Sequence, residues 1–321
     1  MIEIPADFNK KLLEKFPHDP TSKQRKLLTL LSNFIFNENK NALFLLKGYA
    51  GTGKTTTIGA FVNSLWTAGR KSVLLAPTGR AAKVISLYSK KPAFTIHKKI
   101  YFPKKQSNGS VAFVLQPNKH TNTVFIVDEA SMIPDGRQNQ QLFDSSSLLD
   151  DLISYVYSGV NCKLIFIGDT AQLPPVKLSV SPALEKDTLI YDYHKEVIEI
   201  ELDEVMRQHE DSGILANATA LRLLLKNEDE KFQFDVDFAD IERLEDGYDI
   251  EDAIVSAYES DGVEDTAFIV RSNKRANEYN QQIRYNIRGQ ENEISAGDYI
   301  MIVKNNYFWL PESSTAGFIA N

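Results

Sequence analysis

Residues 42–55 read Ala42-Leu-Phe-Leu-Leu-Lys47-Gly48-Tyr-Ala-Gly-Thr-Gly53-Lys54-Thr55. An apolar run gives way to a glycine-rich turn and then to residues that favour a helix. The last eight positions fill G-x-x-x-x-G-K-[ST] completely, in the strand-to-helix context that gives the motif its meaning. The glycines let backbone amides turn inward on phosphate groups, and the helix start adds its positive end. Gly48, Ala50, Gly51, Thr52, Gly53, Lys54, Thr55 and Thr56 are therefore the expected cradle of a nucleotide. Lys54 is placed to reach the β- and γ-phosphates and Thr55 to ligate magnesium, so ATP and Mg²⁺ are the expected ligands.

Outward from this turn, three more apolar runs repeat the pattern: SVLLAPT (72–78), TVFIVDE (123–129) and KLIFIGD (163–169). Each is rich in Leu, Val, Ile or Phe and ends in polar residues, as a buried strand does. Helical patterns lie between them, near 54–68, 79–90 and 142–157. Strands alternating with helices predict an α/β fold with a parallel sheet covered on both faces. Ligands of such sheets bind at the carboxyl ends of the strands. Thr21 to Phe36 reads as an amphipathic helix ahead of the first strand. The stretch 101–121 carries Pro103, Asn108, Gly109 and Pro117 around an alternating run, which predicts a small inserted hairpin. Residues 229–265 are acidic and poor in apolar runs, which suggests a boundary. Beyond it, strands at 266–272 and 297–303 and a helix from about 273 to 287 predict the start of a second α/β domain.

Bulk properties bound the function. A chain of 321 residues with 43% hydrophobic and 25% charged residues has the composition of a globular protein. Its one cysteine, Cys162, excludes an intrachain disulfide. The N-terminus lacks the apolar core of a signal peptide, and no stretch approaches the roughly 20 apolar residues of a membrane span. A cytoplasmic protein with no membrane partner is expected. The net charge of −7 argues against coating nucleic acid with one broad face, while leaving room for a narrow basic channel. The five histidines are scattered, which gives no support to a metalloenzyme.

Two further strand ends carry chemistry. Asp128 and Glu129 close the third apolar run. Asp128 is placed to hold Mg²⁺, and Glu129 to orient and deprotonate an attacking water. Gln172, in GDTAQLPP (168–175), follows the fourth run, where its amide could sense the γ-phosphate. Two prolines stiffen the loop that carries it.

The order GYAGTGKTT, APTGRAAKV, TIHKKI, VDEASM, GDTAQLPPV and VMRQ resembles superfamily 1 DNA helicases, above all the RecD-like group that moves 5′ to 3′ on single-stranded DNA. The resemblance implies a RecA-like P-loop domain over 1–205, with 101–121 as an inserted pin, and the N-terminal part of a second RecA-like domain over 206–321. It implies that Gln24 reads adenine and that Arg207 is an arginine finger on the γ-phosphate. It implies nucleic-acid contacts for Pro77, Thr78, Gly79, Lys83, Thr95, His97 and Asn273, although Asn273 reads equally as a helix cap. Tyr101, Phe102 and Phe113 are candidate stacking or wedge residues, or else pack the hairpin onto the domain. The implied function is an ATP-dependent helicase acting on single-stranded DNA or a single-to-double-strand junction as a monomer, in repair or recombination.

The family's last two motifs are not found before residue 321. The chain is therefore expected to be a piece of a longer protein that binds ATP but is not fully competent. An RNA helicase of the same superfamily and a nucleotide-dependent clamp remain alternatives. Glu129 disfavours the clamp, which has no use for a hydrolytic base.

Overall fold

The computed structural model describes residues 4–105, 111–134, 147–204, 212–227 and 231–300. Helices α1 (Pro5–Lys15) and α2 (Ser22–Phe36) precede strand β1 (Ala42–Gly48). Helix α3 (Lys54–Ser64), β2 (Lys71–Ala76), α4 (Gly79–Ser89), β3 (Ala93–Thr95) and the short α5 (Ile96–Ile100) follow. A hairpin of β4 (Tyr101–Lys105) and β5 (Val111–Leu115) leads into β6 (Thr123–Val127). The larger unit ends with α6 (Leu148–Ser158), β7 (Lys163–Gly168), α7 (Lys186–Tyr191) and β8 (Glu196–Leu202). The main sheet has six strands in the order β3-β2-β6-β7-β1-β8, every neighbouring pair parallel.

The four apolar runs became β1, β2, β6 and β7. Because side chains alternate across a strand, each run feeds two cores. Leu43, Leu45, Leu75, Phe125, Val127 and Phe166 face α5, α6 and the hairpin. Phe44, Leu46, Leu74, Ile126 and Ile165 face α1, α2 and α3. Burial of near-continuous apolar strands on both faces is the pattern parallel sheets require. Strand β8 lay outside the four runs. Its alternation of glutamate with Val197, Ile198, Ile200 and Leu202 is that of a half-covered edge.

Contacts set apart a smaller unit within residues 209–301. It holds α8 (Gly213–Asn227), α9 (Gly247–Ser260) and α10 (Asn273–Gln282), which runs on into a π turn at Ile283–Ile287. The strand expected over 266–272 is not formed, nor is one formed over 297–300; residues 301–303 lie outside the described residues. A strand needs a ladder partner, and no strand is present among the described residues of this unit. Phe268 instead stacks on Tyr279 at 6.0 Å, while Ile269 stays 99% exposed. No helix among the described residues is long and apolar enough to cross a membrane.

Helix α2 matters to the site because its N-terminus presents Gln24, and its far end is pinned by two cations. Arg70 donates to Ile35 O at 2.7 Å. Lys163 donates to Asn37 O at 2.7 Å and lies 5.0 Å from the Phe34 ring centroid. Positive charge on a helix C-terminus opposes the macrodipole. Burial, with Arg70 nearby and against the pull of Glu196, lowers the Lys163 amine from 10.5 to about 8. Between pH 8 and 10.5 the unfolded chain holds this proton and the folded chain does not, so stability from this residue rises with pH. Thermal midpoints of wild type and Lys163→Met should therefore diverge in favour of wild type across that window. Parallel curves would show that Lys163 is not shifted.

Candidate nucleotide site

The turn between β1 and α3 has the backbone its glycines permit. Gly51 and Gly53 both lie at φ 80°, in the left-handed region that favours glycine. Gly53 is also sterically required, because a Cβ there would sit 2.4 Å from Gln24 Nε2. Gly48 is packed under Leu202 of β8, where a Cβ would meet the Leu202 carbonyl at 2.9 Å. Thr52 is buried, and its hydroxyl donates to Tyr49 O at 2.8 Å. Gly48 and Thr52 thus shape the turn from behind. Ala50, Gly51, Gly53, Lys54, Thr55 and Thr56 line a cavity of about 430 Å³.

Lys54 folds back into this turn and donates to Gly48 O at 2.5 Å and Tyr49 O at 2.7 Å. Burial lowers its pKa, while Asp169, Asp128 and Glu129 oppose that fall. Three carboxylates from two other strand ends therefore converge on one amine. Asp128 follows β6, and its Oδ1 accepts from Glu129 N at 2.9 Å. Burial pushes its carboxyl up to about 6; Glu129's charge adds to the rise, while the Glu129 amide and Lys54 counter it. Glu129 sits at φ 53°, a left-handed conformation that is strained for a residue with a side chain. Such strain persists only where the surroundings hold it.

Asp169 follows β7 and is buried; its Oδ1 accepts from Ala171 N at 2.8 Å and shapes the turn into Gln172. Gln172 accepts at 2.9 Å from the hydroxyl of Ser131, two residues past Glu129. The two strand ends are therefore tied directly to each other. Ser131 and Asp169 fell inside motifs quoted from the sequence, yet neither had been singled out. Phe16, His18, Val84 and Tyr88 also line the cavity. Val84 closes the quoted stretch APTGRAAKV without having been singled out, while no motif marks Phe16, His18 and Tyr88, which reach the cavity through the chain before α2 and through α4.

Gln24 is buried, not a solvated helix residue. Its Oε1 accepts from Thr21 N at 3.1 Å, and its backbone N–H donates to the Thr21 hydroxyl, which closes a capping box at the start of α2. Its Nε2 donates to Thr52 O at 3.1 Å. One residue caps the helix and braces the phosphate turn, and its amide still has a second donor and a second lone pair to offer.

The remaining sequence candidates separate sharply. Thr78 caps α4, accepting from Ala81 N at 3.2 Å; Pro77 and Gly79 are half-buried beside it, and Lys83 is exposed one turn on. Thr95 is 7% exposed and caps α5, so its hydroxyl is turned to structure. His97 is half-buried with its ring 5.8 Å from that of Tyr101, and burial lowers its pKa, which keeps the imidazole neutral at pH 7. Tyr101 and Phe113 are 8% and 6% exposed within the core, and the Tyr101 hydroxyl donates to Asp151 at 2.5 Å. Of the two readings open for these residues, wedge or packing, the burial favours packing for both: they anchor the hairpin. Phe102 stays 39% exposed. Asn273 is not the cap of α10; Ser272 is, accepting from Arg275 N at 3.2 Å. Arg207 lies outside the described residues.

A parallel sheet with a phosphate turn after β1, an acid pair after β6 and a glutamine after β7 defines the P-loop nucleoside triphosphatase fold. Within that class the chain belongs to the AAA domain family (AAA_30), whose model matches residues 35–237. Relatives include the ATP-dependent DNA helicase dda of enterobacteria phage T4, 30% identical over 64% of this chain and 43% of its own length. The ATP-dependent RecD2 DNA helicase of Deinococcus radiodurans is 33% identical over 42% of this chain and 16% of its own. The uncharacterized protein R530 of Acanthamoeba polyphaga mimivirus is 30% identical over 58% of this chain and 38% of its own. The chain thus spans less than half the length of these relatives. The superfamily 1 helicase resemblance drawn from the motifs agrees with these matches. Among solved structures, the Pif1 helicase of Candida albicans aligns at 22% identity over 63% of this chain and 44% of that chain, with a TM-score of 0.40.

The double duty of Gln24 can be checked without any ligand. Gln24→Glu keeps the acceptor for Thr21 N but sets a carboxylate against the Thr52 carbonyl. It should destabilise the fold by about 1–3 kcal/mol in urea unfolding. An unchanged midpoint would show that the Thr52 bond contributes nothing.

Proposed function

We propose that this chain is the ATP-hydrolysing part of a motor that moves 5′ to 3′ along single-stranded DNA and separates duplexes. The observation that supports this best is the single cavity onto which Lys54, Thr55, Asp128, Glu129 and Gln172 converge from three strand ends. The dda and RecD2 relatives are named as ATP-dependent DNA helicases. The RecD-like order of motifs favours the 5′-to-3′ polarity. The same resemblance favours a monomer at single-to-double-strand junctions; repair, recombination and replication restart are all compatible with it, and the cytoplasm is the expected compartment. In this reading residues up to 205 form the first motor domain and residues from 206 begin the second.

The donors suit magnesium. No group of three or more His, Cys, Asp or Glu among the described residues could hold a metal alone. The Thr55 hydroxyl and Asp128 carboxylate are hard oxygen donors, and Mg²⁺ characteristically takes one or two such ligands with the rest from phosphates and water. Bound there, the ion would neutralise charge on the β- and γ-phosphates. Lys54 exchanges its bonds to the Gly48 and Tyr49 carbonyls for phosphate oxygens. Glu129 orients the attacking water and accepts its proton. Gln172, steadied by Ser131, senses the γ-phosphate, and Arg207 completes the charge balance. Gln24 turns its remaining donor and acceptor to adenine. On the nucleic-acid side, Thr78 retains a hydroxyl proton for a phosphate, and Phe102 is the hairpin aromatic open to a base.

Two measurements separate binding from turnover. Glu129→Gln should bind ATP within about threefold of wild type while its turnover falls on the order of 10²–10⁴-fold. Lys54→Ala should lose binding and turnover together. Turnover surviving in Glu129→Gln would remove the general base from this scheme. Ser131→Ala should keep nucleotide affinity while kcat falls about tenfold, a loss of about 1.4 kcal/mol in the transition state alone. An equal rise in KM would place Ser131 in binding instead.

A further inference from the structure

Residues 39–127 contain fourteen lysines and arginines and no aspartate or glutamate, in a chain whose net charge is −7. This span forms β1, β2, β3, α3, α4, α5 and the hairpin, so much of its charge gathers on the β3 side of the sheet. The opposite edge strand, β8, carries Glu196, Glu199 and Glu201, with Asp203 and Glu204 following. The two edges of one sheet therefore have opposite sign, separated by five interstrand steps of about 4.8 Å.

Six exposed cations of this span lack acidic partners among the described residues. Lys71, Arg80, Lys83, Lys90, Lys104 and Lys119 are all exposed. None of the six makes an ion pair among the described residues; the pairs that do form in this unit involve Lys23, Arg25, Lys47 and Lys186. Some of this charge lies at the end of the strands remote from the nucleotide cavity. Lys71 opens β2, and its amide donates to Asn122 O at 3.0 Å, which brings it beside the 118–122 linker that carries Lys119 and His120. Burial, and then the charges of Lys99 and Lys71, push the His120 imidazole below its usual range.

We propose that the basic rim carrying Lys71 and Lys119, at the strand ends remote from the nucleotide cavity, is a docking face for the phosphate backbone of double-stranded DNA. The proposal rests on the nucleic-acid motor reading above and extends it to a second contact. The chemistry selects duplex over single strand. Single-strand grooves pair cations with exposed aromatics on which bases stack. Around Lys71 and Lys119 the local rings are otherwise engaged: His120 packs edge-on against Phe125 at 5.3 Å, and Phe94 lies beneath the Lys99 amine at 5.5 Å. Cations without stacking partners bind backbone and leave bases unread, and a duplex presents a phosphate every ~1.7 Å of its axis.

The test compares Lys71→Glu/Lys119→Glu with the control pair Lys10→Glu/Lys26→Glu, exposed on α1 and α2 and equal in charge change. Binding of a blunt DNA duplex and of oligothymidylate is titrated at several salt concentrations. The Lys71/Lys119 pair should lose at least about fivefold in duplex affinity and reduce the duplex salt slope by about 2. Its affinity for oligothymidylate and for nucleotide should stay within twofold, the latter also reporting that the chain is folded. The control pair should change neither. Unchanged duplex affinity, an equal loss from the control pair, or an equal loss on oligothymidylate would overturn the inference. A wild-type chain that binds oligothymidylate but not duplex overturns this inference alone; one that binds neither overturns the motor reading as well.

Discussion

The parallel register of β1, β6 and β7 is the constraint on which the site depends. Leu43 pairs with Leu164 and Lys47 with Gly168, while Val124 pairs with Lys163 and Val127 with Phe166. In a parallel sheet all strands end at one rim, and each strand end is a loop whose backbone is not committed to the ladder. Three stretches far apart in the chain are thereby brought to one cavity. Lys54 arrives by one of them, Asp128 and Glu129 by the second, Asp169 and Gln172 by the third. A shift of one residue in any register would turn a core face to solvent and displace the loop that follows, so the two apolar cores that hold the register also hold the chemistry.

Electrostatics then tune what packing has assembled. A buried ammonium would be costly alone, and so would three carboxylates near one another. Together they offset part of each other's cost, and the residual tension appears as an Asp128 carboxyl raised to about 6 and a Lys54 amine held below its usual value. The backbone bears a related load at Glu129, whose left-handed conformation is braced by Asp128 on one side and by the turn to Met132 on the other. Gln24 extends the same economy of parts, since one amide ends a helix and steadies the phosphate turn. On a longer scale the charge is unevenly divided, with the glutamates of β8 on one edge and an aspartate- and glutamate-free span, 39–127, reaching the other.

Much of this was legible in the residues. The phosphate turn was complete as a motif, and all four apolar runs formed neighbouring strands of one sheet. The hairpin was announced by alternation around turn residues. What failed or stayed open did so for physical reasons. Tyr101 and Phe113 have the same chemistry whether they wedge a duplex or fill a core, and only the partner across the gap, Asp151 for Tyr101, decides between these. The stretch 266–272 has the composition of a strand, but composition supplies no ladder partner, and Ile269 is left exposed. Asn273 and Ser272 are both good caps, and the choice between them turned on one hydroxyl reaching Arg275 N.

By itself the amino-acid order determined local matters: where the backbone must be glycine, where apolar residues recur at strand or helix spacing, and which side chains could serve a phosphate. These depend on neighbours in the chain, so they are readable without a fold. Tertiary structure alone decided that Ser131 would hold Gln172, that Gln24 would brace Thr52, and that Phe16, His18 and Tyr88 would share a cavity with Lys54. Those contacts join residues whose separation in sequence has no fixed relation to their distance in space. Only closure of the sheet and packing of its two cores set that relation.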